Sequence, residues 1–253
     1  MENITPEIEL KSQKHNPREW AKAIILFGSG IYFLVLIVTG NLSNYVNLRF
    51  AWLSYVAAII FFVLGIWSIV RLLTGRVSSG HSSVHLPIPS SGIFIVGLPL
   101  IFATLLPSQP LGADAISGGI SLEPVGGISS TARYNVPPLE RNVLDWLREF
   151  DAVSNPAELE GLPVDIVAFV YREPDMPETQ FMAARFTLSC CVADAFAVGM
   201  PVESENALEW ADGAWVRIQG RLSVGEFRGA QVPIIIPDSI EETEIPQNPY
   251  LYS

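Results

Sequence analysis

AIILFGSGIYFLVLIVTG, residues 23–40, decides where this chain resides. It lies within an uncharged run from residue 23 to 48, and a second uncharged run, 50–70, follows directly after Arg49. The roughly 30 Å hydrocarbon layer takes about 20 helical residues to cross. A core helix of a soluble protein would show a polar face at 3.6-residue spacing, and neither run has one. Trp20, Tyr45, Trp52 and Trp67 lie near the run ends, where amphipathic rings favour the headgroup region. Two transmembrane helices are predicted, at about 23–43 and 50–70.

A third apolar run, residues 86–106, is interrupted by Pro87, Pro89 and Pro99. Its length permits a third span at about 88–106, since a membrane helix tolerates Pro where neighbours satisfy the freed carbonyl. A re-entrant hairpin and a surface-lying segment are the alternatives. Residues 23–107 are thus read as the membrane region. Lys11, Lys14, Arg18 and Lys22 precede the first run, Arg71 and Arg76 follow the second, and only Arg49 lies between them. The positive-inside rule then places residues 1–22 in the cytoplasm and the C-terminal part outside, in a multi-pass protein of the cell membrane. Cleavage of the first run as a signal peptide is not expected, because Glu2, Glu7, Glu9 and Glu19 mix with the lysines and no A-x-A site follows.

Downstream the solvent changes. Residues 1–108 carry seven Lys/Arg against four Asp/Glu, whereas 109–253 carry eight Arg against 22 Asp/Glu. Residues 108–138, rich in Pro, Gly and Ser, read as a linker. LERNVLDWLREF (139–150) has apolar residues at helical spacing. After it come LPVDIVAFVY (162–171), FMAARFTLSCC (181–191), AWVRIQGRL (214–222) and AQVPIII (230–236), with β-branched and aromatic residues between turn formers, the pattern of strands. NALEW (206–210) reads as a short helical turn. The fold expected for 139–253 is a mostly β, OB-like small barrel, whose closure removes exposed edges.

Two constellations could carry chemistry. SCCVADA holds the chain's only two cysteines, Cys190 and Cys191, with Asp194 close behind. Thiolates and a carboxylate suit zinc or another soft or borderline metal. Adjacent strand residues point to opposite faces, so both sulfurs reach one ion only if the strand bends or ends there. A strained disulfide between neighbours and two buried small hydrophobes are the other readings. GHSSVH places His81 and His85 four apart in a loop expected to be cytoplasmic, a weaker metal-site candidate because Gly and Ser argue for a flexible loop. No P-loop, HExxH, GxSxG or dinucleotide fingerprint is present, and no enzymatic activity is expected. The acidic C-terminal half lacks the basic track that nucleic acid requires.

Gly161 with VDIVAFVY, the Arg185-Phe186 pair, CCVADA at 190–195, WVRIQG at 215–220 and the closing PQNPYLY resemble the YcgQ family, as do NYVNLRF (44–50) and LPSQPLG (106–112) upstream. Ala168, where a Gly is usual, and a second loop with only His81 and His85 depart from its pattern. The resemblance implies an accessory subunit, in contact with membrane lipid, that works with a multi-span permease. It also implies that the outer domain captures, delivers or gates a solute. A metal ion, zinc or copper, at Cys190, Cys191 and Asp194 is the reading so favoured. A thiol–disulfide module and a membrane-anchored protein-interaction domain are the alternatives.

Overall fold

The computed structural model describes residues 17–74, 90–123 and 136–252, and two compact units make up the chain. The first, outside the loop Leu42–Arg49 and up to Ser108, is helical. α1 (Pro17–Thr39) and α2 (Ala51–Thr74) are each long and apolar enough to cross a membrane. Their large side chains are largely uncovered, Ile59 at 62% and Trp67 at 60% exposed. Lipid is the solvent such faces fit, since water-soluble proteins rarely expose so continuous an apolar surface. Close approach depends on small residues: a Cβ on Gly65 would meet the Phe27 backbone at 3.0 Å. Phe27 and Phe62 also meet edge-to-face at 5.5 Å.

α3 (Ser90–Leu105) has 16 residues and contains Pro99. Residues 88 and 89 of the expected third span lie outside the described residues, and the helix ends at Leu105. At 1.5 Å per residue it covers about 24 Å, less than the hydrocarbon thickness, so it is a shorter apolar helix beside two long ones.

The second unit, Leu42–Arg49 with the chain from Gln109 onward, is a barrel with attachments. Its strands are β1 (Pro163–Tyr171), β2 (Gln180–Leu188), β3 (Phe196–Glu203), β4 (Trp215–Phe227), β5 (Ala230–Glu242) and β6 (Tyr250–Tyr252). β1 pairs antiparallel with β2 and with β4, β2 with β3, and β4 with β5, while β3 meets β5 in parallel through Val202 and Ile235. The circuit 1-2-3-5-4 is thereby closed into a five-stranded barrel of the OB type. β2 lends one edge to β1 at Met182–Ala184 and to β6 at Phe186–Leu188. A register shift between Gln219 and Gly220 bends β4, and only Gly fits there: a Cβ on Gly220 would lie 2.2 Å from the Ile236 carbonyl oxygen.

Alternation along the strands makes two apolar faces. Val164, Ile166, Phe181, Met200, Ile218 and Ile235, from all five strands, fill the interior. α4 (Val143–Ala152) adds Leu144, Trp146 and Leu147 to that cluster. Asn142 caps the helix, its Oδ1 accepting from the amides of Leu144 and Asp145. Outside the barrel, Phe169 stacks on Phe186 and meets Trp215 edge-on, at 5.8 and 5.6 Å.

That outer platform is covered by part of the stretch expected to be a linker. Residues 109–123 form an ordered strap: Ile120 is 3% exposed on the platform, and Leu111, Ile116 and Leu122 pack beside it. The strap pairs with β3, Ser121 N donating to Ala197 O at 3.0 Å and Gly199 N to Ser121 O at 3.2 Å. Residues 124–135 of the expected linker, and all but the last of residues 1–17 of the expected N-terminal segment, lie outside the described residues.

Candidate metal-binding turn

β2 ends at Leu188 and β3 begins at Phe196, so the cysteine pair sits on the turn between them, where strand alternation no longer holds. The Asp194 carboxylate shapes this turn. Its Oδ1 accepts from Ser189 N at 2.9 Å, and its Oδ2 from Cys190 N at 2.7 Å and Cys191 N at 3.3 Å. With the amides gathered on the carboxylate, both side chains project to one side and the sulfurs lie 3.7 Å apart. Both thiols are free, Cys190 exposed and Cys191 half-buried. The two Sγ atoms and a carboxylate oxygen of Asp194 all lie within 4.8 Å of one another.

The electrostatics follow from the geometry. The Cys190 thiol donates to Asp194, whose negative charge resists a second anion, and with Cys191 beside it the thiol is pushed up to about 11. Partial burial acts against the Asp194 carboxylate, but the Cys190 thiol and the amides of Cys190, Ser189 and Cys191 outweigh it and hold it below its ordinary value. Without a metal the turn therefore pairs one anion, the Asp194 carboxylate, with a protonated Cys190 thiol. A cation that displaces the thiol protons finds up to three negative ligands already gathered.

The other side of the turn is held by Tyr45 and Asn47, from a stretch read for its resemblance and not as part of a site. Asn47, 3% exposed, donates from Nδ2 to the carbonyls of Ser189 at 2.9 Å and Leu188 at 3.4 Å. Its backbone N–H donates to Cys190 O at 3.1 Å, and Val192 N donates to Tyr45 O at 2.9 Å. Nothing local marks a buried Asn between two apolar runs as a partner of a turn far down the chain. The predicted Cys190, Cys191 and Asp194 are brought together; His81 and His85 lie outside the described residues.

A second concavity, about 700 Å³, lies between the β1–β2 loop and the β4–β5 turn, lined by Tyr171, Glu173, Met176, Phe227 and Arg228. In OB barrels this mouth and the adjoining outer face serve oligonucleotides and oligosaccharides. Here the strap occupies the face, Glu173 and Arg228 are ion-paired, and the Arg228 guanidinium donates to the Ile120 carbonyl.

The DUF1980 N-terminal domain matches residues 21–119, and the DUF1980 C-terminal domain matches residues 139–253. UPF0703 protein YcgQ of Bacillus subtilis is 21% identical over 280 residues, covering 91% of this chain and 98% of the relative. A Streptococcus mutans protein, named as a candidate two-component membrane permease complex subunit, is 20% identical, covering 90% of this chain and 97% of its own. A small single-stranded DNA-binding protein from Streptomyces coelicolor overlaps 33% of this chain and 93% of its own at 16% identity. Its TM-score is 0.25, at which nothing transfers from it. With both domains matched in order, and relatives aligned along nearly their whole length, the chain belongs to the DUF1980 family.

Proposed function

We propose that this chain is a non-enzymatic accessory subunit of a two-component permease, held in the cell membrane by its helices. Its barrel stands outside the cytoplasm and presents Cys190, Cys191 and Asp194 to a metal ion bound for, or leaving, a multi-span partner. The observation that carries this reading is the gathering of two thiols and a carboxylate within 4.8 Å on an exposed turn. Zinc is the first choice. With Zn–S bonds of about 2.3 Å at a tetrahedral angle, two sulfurs on one ion stand about 3.8 Å apart, and these stand 3.7 Å apart. Cuprous ion in linear two-coordination would need them wider. Three protein ligands leave a position open, which suits transfer better than a closed structural site. A two-component complex is what the Streptococcus mutans relative is named for, and it comes to this chain only by that likeness.

The outward placement has support beyond the charge distribution. Leu42–Arg49 joins α1 to α2 and is built into the barrel unit. If α1 and α2 both cross, the barrel shares a face with that loop, and the chain from α2 to residue 109 must cross once more. α3 is the apolar helix available for that crossing, with local bilayer thinning absorbing its shortness. A thiol–disulfide role fits less well, because a thiol pushed up to about 11 supplies little attacking thiolate at neutral pH.

The test is equilibrium dialysis of the reduced, detergent-solubilised full-length protein against zinc. One zinc per chain, lost in Cys190→Ser and Cys191→Ser, is expected. Absence of binding to the wild type would remove the metal role and leave only the accessory-subunit reading, which co-purification with the partner permease checks.

A further inference from the structure

We propose that Asn47 is the positioning residue of the cysteine turn, and that through it the loop between α1 and α2 senses whether the turn is occupied. This rests on the zinc reading above.

The backbone of the turn is held from two sides. Its amides at 189, 190 and 191 point to the Asp194 carboxylate. Its carbonyls at 188, 189 and 190 point to Asn47: two accept from the side-chain amide and one from the backbone N–H. Val46 and Cys191 complete the contact as an antiparallel bridge. Every backbone N–H and C=O of residues 189 and 190 is thus hydrogen-bonded, and the two thiols carry no disulfide. A metal that draws both sulfurs and a carboxylate oxygen to bonding distance must pull on Asp194 or on the turn, and either movement changes the hydrogen bonds to Asn47.

Asn47 passes the change on. Its Oδ1 accepts from Arg49 N at 3.0 Å, within the 3-10 turn Leu48–Phe50 that leads into α2 at Ala51. Tyr45 lies on the α1 side of the same loop, its carbonyl bound by Val192 N. The loop is therefore hydrogen-bonded to the metal turn at residues on both sides of Val46, and covalently continuous with both long helices. Coupling of this kind is reciprocal: whatever zinc does to the loop, the loop does to zinc affinity by the same factor. In a subunit that hands an ion to a membrane partner, this makes loading of the outer site legible at the helices that the partner would contact.

The experiment uses the reduced full-length protein in detergent. Amide hydrogen exchange of residues 44–50 and 188–192 is measured with and without zinc. Zinc affinity is measured by chelator competition for wild type and Asn47→Asp, and cobalt(II) absorption reports thiolate ligation. Asn47→Asp keeps Oδ1 for Arg49 but loses the donor to Leu188 and Ser189. The expected results are slower exchange of the Asn47 and Val192 amides on zinc binding, and a 10–100-fold weaker affinity in Asn47→Asp, typical of losing a group that orients a metal ligand. The cobalt–thiolate band should persist in the variant, showing that the ligands themselves remain. Wild-type zinc affinity in Asn47→Asp, or unchanged loop exchange in a wild type that binds zinc, overturns the proposal even though the metal site stands. If dialysis shows no zinc bound to the wild type, the metal reading falls first and this one with it.

Discussion

Asn47 and Ser189, 142 residues apart in sequence, are joined by a 2.9 Å hydrogen bond from the Asn47 side-chain amide to the Ser189 carbonyl. The bond unites two short stretches, NYVNLRF and CCVADA, that carry the family resemblance separately. It makes the loop between the long helices part of the wall of the candidate site.

Labelling tests both orientation and electrostatics. In intact cells an impermeant maleimide should modify Cys190 in a Cys191→Ser background, because Cys190 is exposed and the proposed topology puts it outside. Labelling only after membrane permeabilisation would reject the three-crossing arrangement. The rate should rise about tenfold per pH unit through neutral pH, since thiolate is the reactive form and the thiol is pushed up to about 11. Asp194→Asn removes the anion and should speed labelling at pH 7.5.

Asp165 supplies an acid-sensitive bond. Its carboxylate accepts from Arg217 Nε at 2.8 Å and from Gln219 Nε2 at 2.8 Å, and the Arg217 hydrogen bond holds its pKa below the ordinary 3.8. A depressed folded-state pKa contributes stability that is complete above the unfolded-state value and is lost as pH falls through the folded-state value. The wild type should therefore lose more melting temperature than Asp165→Asn on acidification from pH 5 to about 3. Equal losses in the two proteins would show the pair to be inert.

Ile120 is the most deeply buried side chain of the strap. Ile120→Ala should cost about 2–4 kcal/mol, as for other buried Ile truncations, read as a lower melting temperature. A Cβ on Gly199 would come within 2.9 Å of Ile120 Cγ2, so Gly199→Val should expel the strap. Faster proteolysis within residues 109–122 is the expected sign, and unchanged proteolysis would mean that the strap adjusts.

Arg185 anchors the chain end. It is 6% exposed and donates to the carbonyls of Val167, Asn248 and Pro249, with its guanidinium over Trp215 at 5.1 Å. Burial draws its pKa down to about 10, against the opposing pull of Tyr252, so it stays charged at neutral pH. Arg185→Lys keeps the charge but cannot fork to three carbonyls. Hydrogen exchange at residues 250–252 should accelerate in that variant, with β1–β5 retained.

The elements legible in the sequence are those whose signal is local. The long apolar runs foretell α1 and α2, and four strand-like segments overlap β1, β2, β4 and β5. LERNVLDWLREF covers α4 up to Phe150, and NALEW contains the turn Ala207–Glu209. β3 was missed because FAVGMPVE carries Gly199 and Pro201, which read as breakers. Gly199 is in fact where Ile120 crosses the strand, and the strap that brings Ile120 there has no period of its own. Its order comes from Ala197, Glu173, Arg228 and Tyr250, all distant in sequence. Likewise the cysteine turn was legible as a donor set, whereas Asn47 was not, since its role exists only once the barrel is built.

The bond between Asn47 and Ser189 also sets an order of events during biogenesis. The loop is synthesised and committed to one side of the membrane long before the residues it will grip exist. Closing so large a loop is slow and has no local contacts to guide it. In the proposed topology, the cysteines cannot be held in their gathered arrangement until the C-terminal half has been translocated and has folded against the waiting loop. If the turn binds metal as proposed, a nascent or mislocalised chain would present two ordinary thiols to the metals of the wrong compartment, and the finished ligand set would arise only where the ion is to be met.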